Sequence, residues 1–152
     1  MYYIKKMLDY RITPPSGHMH LFTGNRVIHN NALVMGAGNA LACKEALPSV
    51  PELLVLLYAE RIQLREDYCM AMKHPKNANA YIGVMFTKDH YKDPSDLLEV
   101  IKAIEEFKGK AIMNPNITYH LPYPAIGFGG LTREDLDKHV EALPNNVYVY
   151  VV

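Results

Sequence analysis

The chain has no tryptophan, four phenylalanines, two cysteines and no surplus of charge of either sign. Each shortage excludes something. Cys43 and Cys69 are too few for a disulfide framework, and nothing else resembles a zinc quartet, so reduced thiols and neither cofactor nor structural metal are expected. Sixteen basic residues against sixteen acidic ones argue against binding nucleic acid through bulk charge. No apolar run approaches membrane-spanning length, and the opening "MYYIKKMLDYR" is too charged for a signal peptide. The expectation is a cytoplasmic protein with no membrane partner. Glycine is scarce too, with nine in 152 residues, yet Gly127, Gly129 and Gly130 fall within four positions.

What is present suits one globular domain: 49% hydrophobic and 21% charged residues, with no linker, internal repeat or low-complexity segment. "YYIKKM" reads as an opening strand, "HMHLF" as a short strand or an ordered loop, and "NRVIHN" as a strand ending near Asn30. A helix of about ten residues is expected to stop before Pro48. "SVPELLVLLYAERIQLRED" reads as a second helix capped by Ser49, with Pro51 in its first turn. "KHPKNAN" reads as a polar loop, and "YIGVMF" as a strand apolar enough to be buried on both faces. A third helix is expected from "DPSDLLEVIKAIEEF" with Asp93 as cap, then a strand over 117–121. A last helix should be capped by Thr132 with Asp135, and "NNVYVYVV" reads as a closing strand. Strands alternating with helices predict an α/β sandwich with a mixed sheet.

Two stretches share one grammar of apolar segment, glycines, helix: "VMGAGNALACKEAL" and "AIGFGGLTREDL". A helix start offers unpaired N–H groups and partial positive charge, and glycines let successive amides form a nest around an anion. Two such loops suit the two phosphates of a diphosphate. The plainer reading is that glycines at these junctions permit tight turns. The spacing fits neither the dinucleotide fingerprint nor the P-loop.

Three ordered segments, "VIHNNALVMGAGNALACKEALP", "YIGVMFTKDHYKDPSDLLEVI" and "LPYPAIGFGGLTREDL", resemble macrodomains over about residues 25 to 152. The branch resembled includes terminal ADP-ribose protein glycohydrolase and DNA ADP-ribosyl glycohydrolase. The resemblance implies a three-layer α/β/α sandwich with a cleft for ADP-ribose or a related NAD-derived nucleotide, and a small freestanding domain of this kind suits a phage or bacterial protein. It implies that Met35, Gly36, Ala37 and Gly38 wrap one side of the diphosphate. Ile126, Gly127, Phe128, Gly129 and Gly130 would wrap the other, with the Phe128 ring against a ribose.

The same resemblance implies that Lys88, in "FTKDH", is the reactive amine of a hydrolase acting on ADP-ribosylated protein or DNA, where a solvated loop lysine is the plainer reading. It also implies that His29, Asn30 and Asn31 lie at the distal ribose. There Asn31 would position hydroxyls and His29 would act as acid or base in an ADP-ribose 1″-phosphate phosphatase. The competing reading is a turn at Asn30–Asn31 with His29 in the core. The second loop departs from the branch, because it holds no carboxylate and Thr132 stands where the DNA-directed relatives have Asp. A non-catalytic binder that sequesters a nucleotide signal is therefore the alternative, and a structural protein that has kept only the fold is a third. His18 and His20 would share one face of a strand, but no third metal ligand is near, and Tyr119 and His120 read as packing.

Overall fold

A computed structural model describes residues 1–152. In chain order the elements are β1 (Tyr2–Ile4), β2 (His18–Asn25), β3 (Ile28–His29), β4 (Ala32–Leu33), α1 (Gly38–Ala46), α2 (Val50–Leu64), β5 (Cys69–His74) and β6 (Asn77–Lys88). They continue with α3 (Leu97–Met113), β7 (Thr118–Pro122), α4 (Arg133–Val140) and β8 (Val147–Tyr150). Six strands form one sheet in the order β1-β8-β7-β2-β6-β5, and β3 and β4 make a separate small hairpin. Every pairing from β1 through to β6 is parallel, and only β5 runs antiparallel to its neighbour. This is the mixed α/β sandwich that the alternation of elements predicts, in the three layers that the resemblance implies.

Adjacent residues along the central strands point to opposite faces, and each face has its own core. Leu21, Met85, Tyr119 and Leu121 pack with Val100, Ile104 and Phe107 of α3 and Leu136 and Val140 of α4. Phe22, Ile82, Val84 and Phe86 pack with Cys43 of α1 and Val50, Leu54 and Ile62 of α2. The apolar run of β6 is buried throughout its centre because helices cover both sides. Each fully buried aliphatic or aromatic side chain of this kind contributes about 1.5–3 kcal/mol. Both cysteines are free and buried, and no helix is long and apolar enough to cross a membrane.

Several local expectations change. "HMHLF" lies within an eight-residue strand between β7 and β6, so it is central to the sheet. Within "NRVIHN" only Ile28–His29 is a strand beyond β2, and it lies outside the main sheet: Asn30 and Asn31 both take positive φ, 52° and 62°, and close the β3–β4 hairpin. Consecutive asparagines tolerate that conformation, which the two-residue hairpin turn demands. The opening strand stops at Ile4, and the polar segment around Pro75 is the turn joining β5 to β6. Asp96, not Asp93, caps α3, accepting from the Glu99 amide at 3.1 Å. Ser49 precedes α2 without a side-chain cap bond. Thr132 and Asp135 do form a capping box at α4.

The half of the α1/α2 face formed by β7, β8 and β1 carries rings instead of aliphatics. His20, His120, Tyr148 and Tyr2 stand side by side across four strands. His18 Nδ1 lies 2.8 Å from His120 Nε2, and His120 Nδ1 lies 2.8 Å from the Tyr150 hydroxyl. Burial, reinforced by the neighbouring imidazoles, pushes His20 and His120 down to about 4.

Candidate functional site

Because five neighbouring strands are parallel, their C-terminal ends share one edge of the sheet. The chain leaves β2 for the α1/α2 face and leaves β7 for α4 on the opposite face. The connections from these adjacent central strands therefore diverge, which opens a crevice at their ends, the usual ligand position in open α/β sheets. A cleft of about 990 Å³ occupies this edge. Its wall includes Lys6 just beyond β1, Tyr150 and Val151 at the end of β8, and Lys88 at the end of β6. At about 4.8 Å per strand, the four steps from β1 to β6 give it a length of roughly 19 Å.

The two glycine stretches leave β4 and β7 and meet in the middle of this cleft. Gly36, Ala37, Gly38 and Asn39 line one wall, and Ile126, Gly127, Phe128 and Gly129 line the other. Phe128 is 77% exposed, and its ring lies 3.7 Å from where a Cβ on Gly38 would stand. A side chain from one loop thus touches the other. None of the backbone amides of residues 36–40 or 126–129 donates to an acceptor within the chain. Gly36, Ala37, Gly38, Gly127 and Phe128 are exposed, so unengaged donors of both loops are open to a ligand, and glycine-rich runs of this kind suit an anion.

Local chemistry explains how each loop is held. Asn39 Oδ1 accepts from the Thr23 amide at 2.7 Å, and its Nδ2 donates to Thr23 Oγ1 at 2.8 Å, tying the start of α1 to β2. Asn25 donates to the Val34 carbonyl at 3.0 Å and accepts from the Val27 amide at 2.9 Å, fixing the base of the β3–β4 hairpin. In the second loop Ala125 takes φ 64°, a left-handed conformation that costs roughly 1–2 kcal/mol for a residue with a Cβ. Leu131 N bonds the Ala125 carbonyl at 3.0 Å and Gly130 N bonds the Gly127 carbonyl at 3.2 Å, closing the turn. Gly129 must be glycine here, since a Cβ would stand 2.5 Å from the Ala125 carbonyl oxygen.

Lys88 reaches across to this loop. Its Nζ donates to the Phe128 carbonyl at 2.9 Å, leaving further N–H donors for a ligand. The lining holds the cations Lys6, Lys88 and Lys92 and a single side-chain carboxylate, Asp93. The balance favours an anionic occupant. Leu8, Val34, Ala40 and Tyr150 give the wall apolar surface as well.

The same fold also occurs in solved structures. No family model matches the sequence, and no curated protein matches it. The structural likeness is broad. The macrodomain of Mycobacterium tuberculosis DarG superposes with a TM-score of 0.69 at 23% identity, covering 99% of this chain and 97% of that one. The chain has the macrodomain fold. The macrodomain of Thermus aquaticus DarG gives 0.66 at 21% identity over 99% of this chain and 95% of that one. Thermosipho africanus DarTG, solved in complex with ADP-ribose, gives 0.66 at 17% identity; the match covers 90% of this chain and 38% of that longer one.

Of the residues that the sequence singles out, Gly36, Ala37, Gly38, Lys88, Ile126, Gly127, Phe128 and Gly129 line the cleft. Met35 is buried in the core beneath it, and Gly130, at φ 79°, uses its amide within the turn. His29, Asn30 and Asn31 do not line it; they form the exposed tip of the β3–β4 hairpin, and His29 does not enter the core. Positive φ at both asparagines explains the difference, because the hairpin turns the chain away before the glycines return it. Sequence reasoning missed Asn25, Asn39 and Asp93, as well as Lys6 and Leu8 from the segment after β1. Asparagines that follow a strand or open a helix were the available signal for the first two.

Proposed function

We propose that the protein binds ADP-ribose or a related NAD-derived nucleotide in this cleft. The diphosphate bonds the free amides of residues 36–40 and 126–129, and the nucleotide lies across the strand ends. One observation carries the reading: both glycine stretches line the strand-end cleft with main-chain amides that have no acceptor within the chain. The roughly 19 Å span, the three lysines and the apolar wall support it. The chain shares its fold with a DarTG structure that carries ADP-ribose in its complex, which makes that nucleotide the first to try.

Calorimetry with ADP-ribose tests the reading, and the absence of both heat and thermal shift would refute it. Lys88 is the proposed reactive or charge-stabilising group of an ADP-ribosyl hydrolase, because its amine is tethered to the second loop and still has donors free. A holding protein without turnover is the second reading, favoured by the lack of a carboxylate between residues 125 and 131. Incubation with ADP-ribose 1″-phosphate, ADP-ribosylated protein and ADP-ribosylated DNA separates the two. Lys88→Ala is expected to abolish any turnover while weakening ADP-ribose only a few-fold.

A further inference from the structure

We propose that Tyr150 determines which base the cleft accepts, through a hydroxyl that the His18–His120 pair behind it holds as a hydrogen-bond acceptor. The inference rests on the ADP-ribose reading above and deepens it by naming the group that tells an amino-purine from an oxo-purine. With the diphosphate on the two loops, the base and the distal sugar take opposite ends of the cleft. The end beside β1 and β8 is apolar, lined by Leu8, Pro122, Tyr150 and Val151, whereas Lys88, Lys92 and Asp93 line the end at β6. The flat faces of a base suit the first, and the hydroxyls of a sugar suit the second.

Tyr150 is a half-buried ring of that apolar end, and its hydroxyl has one partner within the chain, His120 Nδ1 at 2.8 Å. His120 Nε2 in turn lies 2.8 Å from His18 Nδ1. Side chains from β8, β7 and β2 thus form one hydrogen-bonded row that ends at the cleft. Burial holds His120 down to about 4, so at pH 7 its ring is neutral and carries one N–H. Both of its nitrogens are engaged, and the row therefore runs in one of two directions. A phenol is the better donor and an imidazole nitrogen the better acceptor, which favours Tyr150 donating to His120 Nδ1 and His120 Nε2 donating to His18 Nδ1. The hydroxyl proton then points inward, and only lone pairs remain for the cleft. They accept from the exocyclic amine of adenine and repel the carbonyl oxygen of hypoxanthine. An oxo-purine bonds Tyr150 only by reversing the whole row.

Calorimetry with ADP-ribose and with its hypoxanthine counterpart, inosine diphosphate ribose, tests the assignment. The wild type should bind ADP-ribose about 10-fold more tightly than the counterpart. Tyr150→Phe removes the hydroxyl and keeps the ring, and should bring the two affinities within about three-fold of each other. His120→Phe frees the Tyr150 hydroxyl to turn either way, so it should also level the preference. A merely structural role for His120 weakens both nucleotides alike and leaves their ratio standing, which overturns its part in the row. Thermal melts check that each variant folds. The imidazole nitrogen resonances of the wild type give a reading that needs no variant: the proton of His120 should sit on Nε2. A proton on Nδ1, equal affinities in the wild type, or a folded Tyr150→Phe variant that keeps the full preference overturns the assignment, although ADP-ribose binding then stands. Failure of the wild type to bind ADP-ribose overturns the underlying reading instead.

Discussion

The two glycine loops look alike in sequence and are built differently. The first runs straight into α1, whose N-cap position, Ala37, has no side chain able to cap it. The amides at that helix start stay free, and the partial positive charge of the helix faces the cleft. The second ends at Thr132, where a capping box engages the start of α4: Asp135 Oδ2 accepts from the Thr132 amide at 3.1 Å. No residue of that helix start lines the cleft. The second loop instead provides amides from a self-bonded turn that Ala125 starts in a strained conformation and that Gly129 lets close on itself. One cradle is a helix end left uncapped, and the other is a turn locked by its own backbone.

Four substitutions and one change of pH probe this contrast. Gly129→Val should have the largest effect, abolishing ADP-ribose binding and lowering unfolding free energy by about 3 kcal/mol, because the new side chain meets the Ala125 backbone. Denaturant melts and calorimetry together check it. Gly36→Val and Gly127→Val have nothing within 4 Å of the added Cβ. Each should weaken ADP-ribose by about 100-fold with little change in melting temperature. If Gly36→Val unfolded the protein, the first loop would also be a tightly packed turn and the contrast would fail.

The strands that feed the loops give the next effect. His20 and His120 titrate at about 4 in the fold, chiefly through burial, against about 6.5 in the unfolded chain. The unfolded chain therefore takes up protons that the fold refuses. Stability should be full above about pH 6.5 and fall as pH drops towards 4, by on the order of 2 kcal/mol between pH 7 and 5 once partial exposure is allowed for. Equal denaturant midpoints at the two pH values would contradict this. Smallest is Thr132→Ala, expected to cost about 1 kcal/mol of stability and leave ADP-ribose affinity unchanged. Altered affinity would mean that the start of α4 serves the ligand after all.

Much of the architecture could be read from the sequence, because periodicity, proline and caps act locally. α2, α3, α4, β6, β7 and β8 all follow from such signals. What escaped were consequences of pairing. "HMHLF" reads equally as a short strand or an ordered loop, and it is the parallel neighbours on both sides that make it part of a central strand. The strand Cys69–His74 lay unread between a helix and a turn. In the cleft the glycines were visible because few other residues permit such turns. The cap of α3 is legible only to within a turn, since spacing alone does not distinguish Asp93 from Asp96, whose carboxylate bonds the Glu99 amide. His29–Asn31 adjoin the first loop in sequence and not in space, because the paired asparagines fold that stretch into a hairpin.

The most direct measurement follows backbone amide resonances while ADP-ribose is added. Residues 36–40 and 126–129 should shift together at one saturating concentration, and Glu134 and Asp135 at the start of α4 should stay still. Shifts confined to one loop, or strongest at the α4 start, would contradict a diphosphate held between the two cradles.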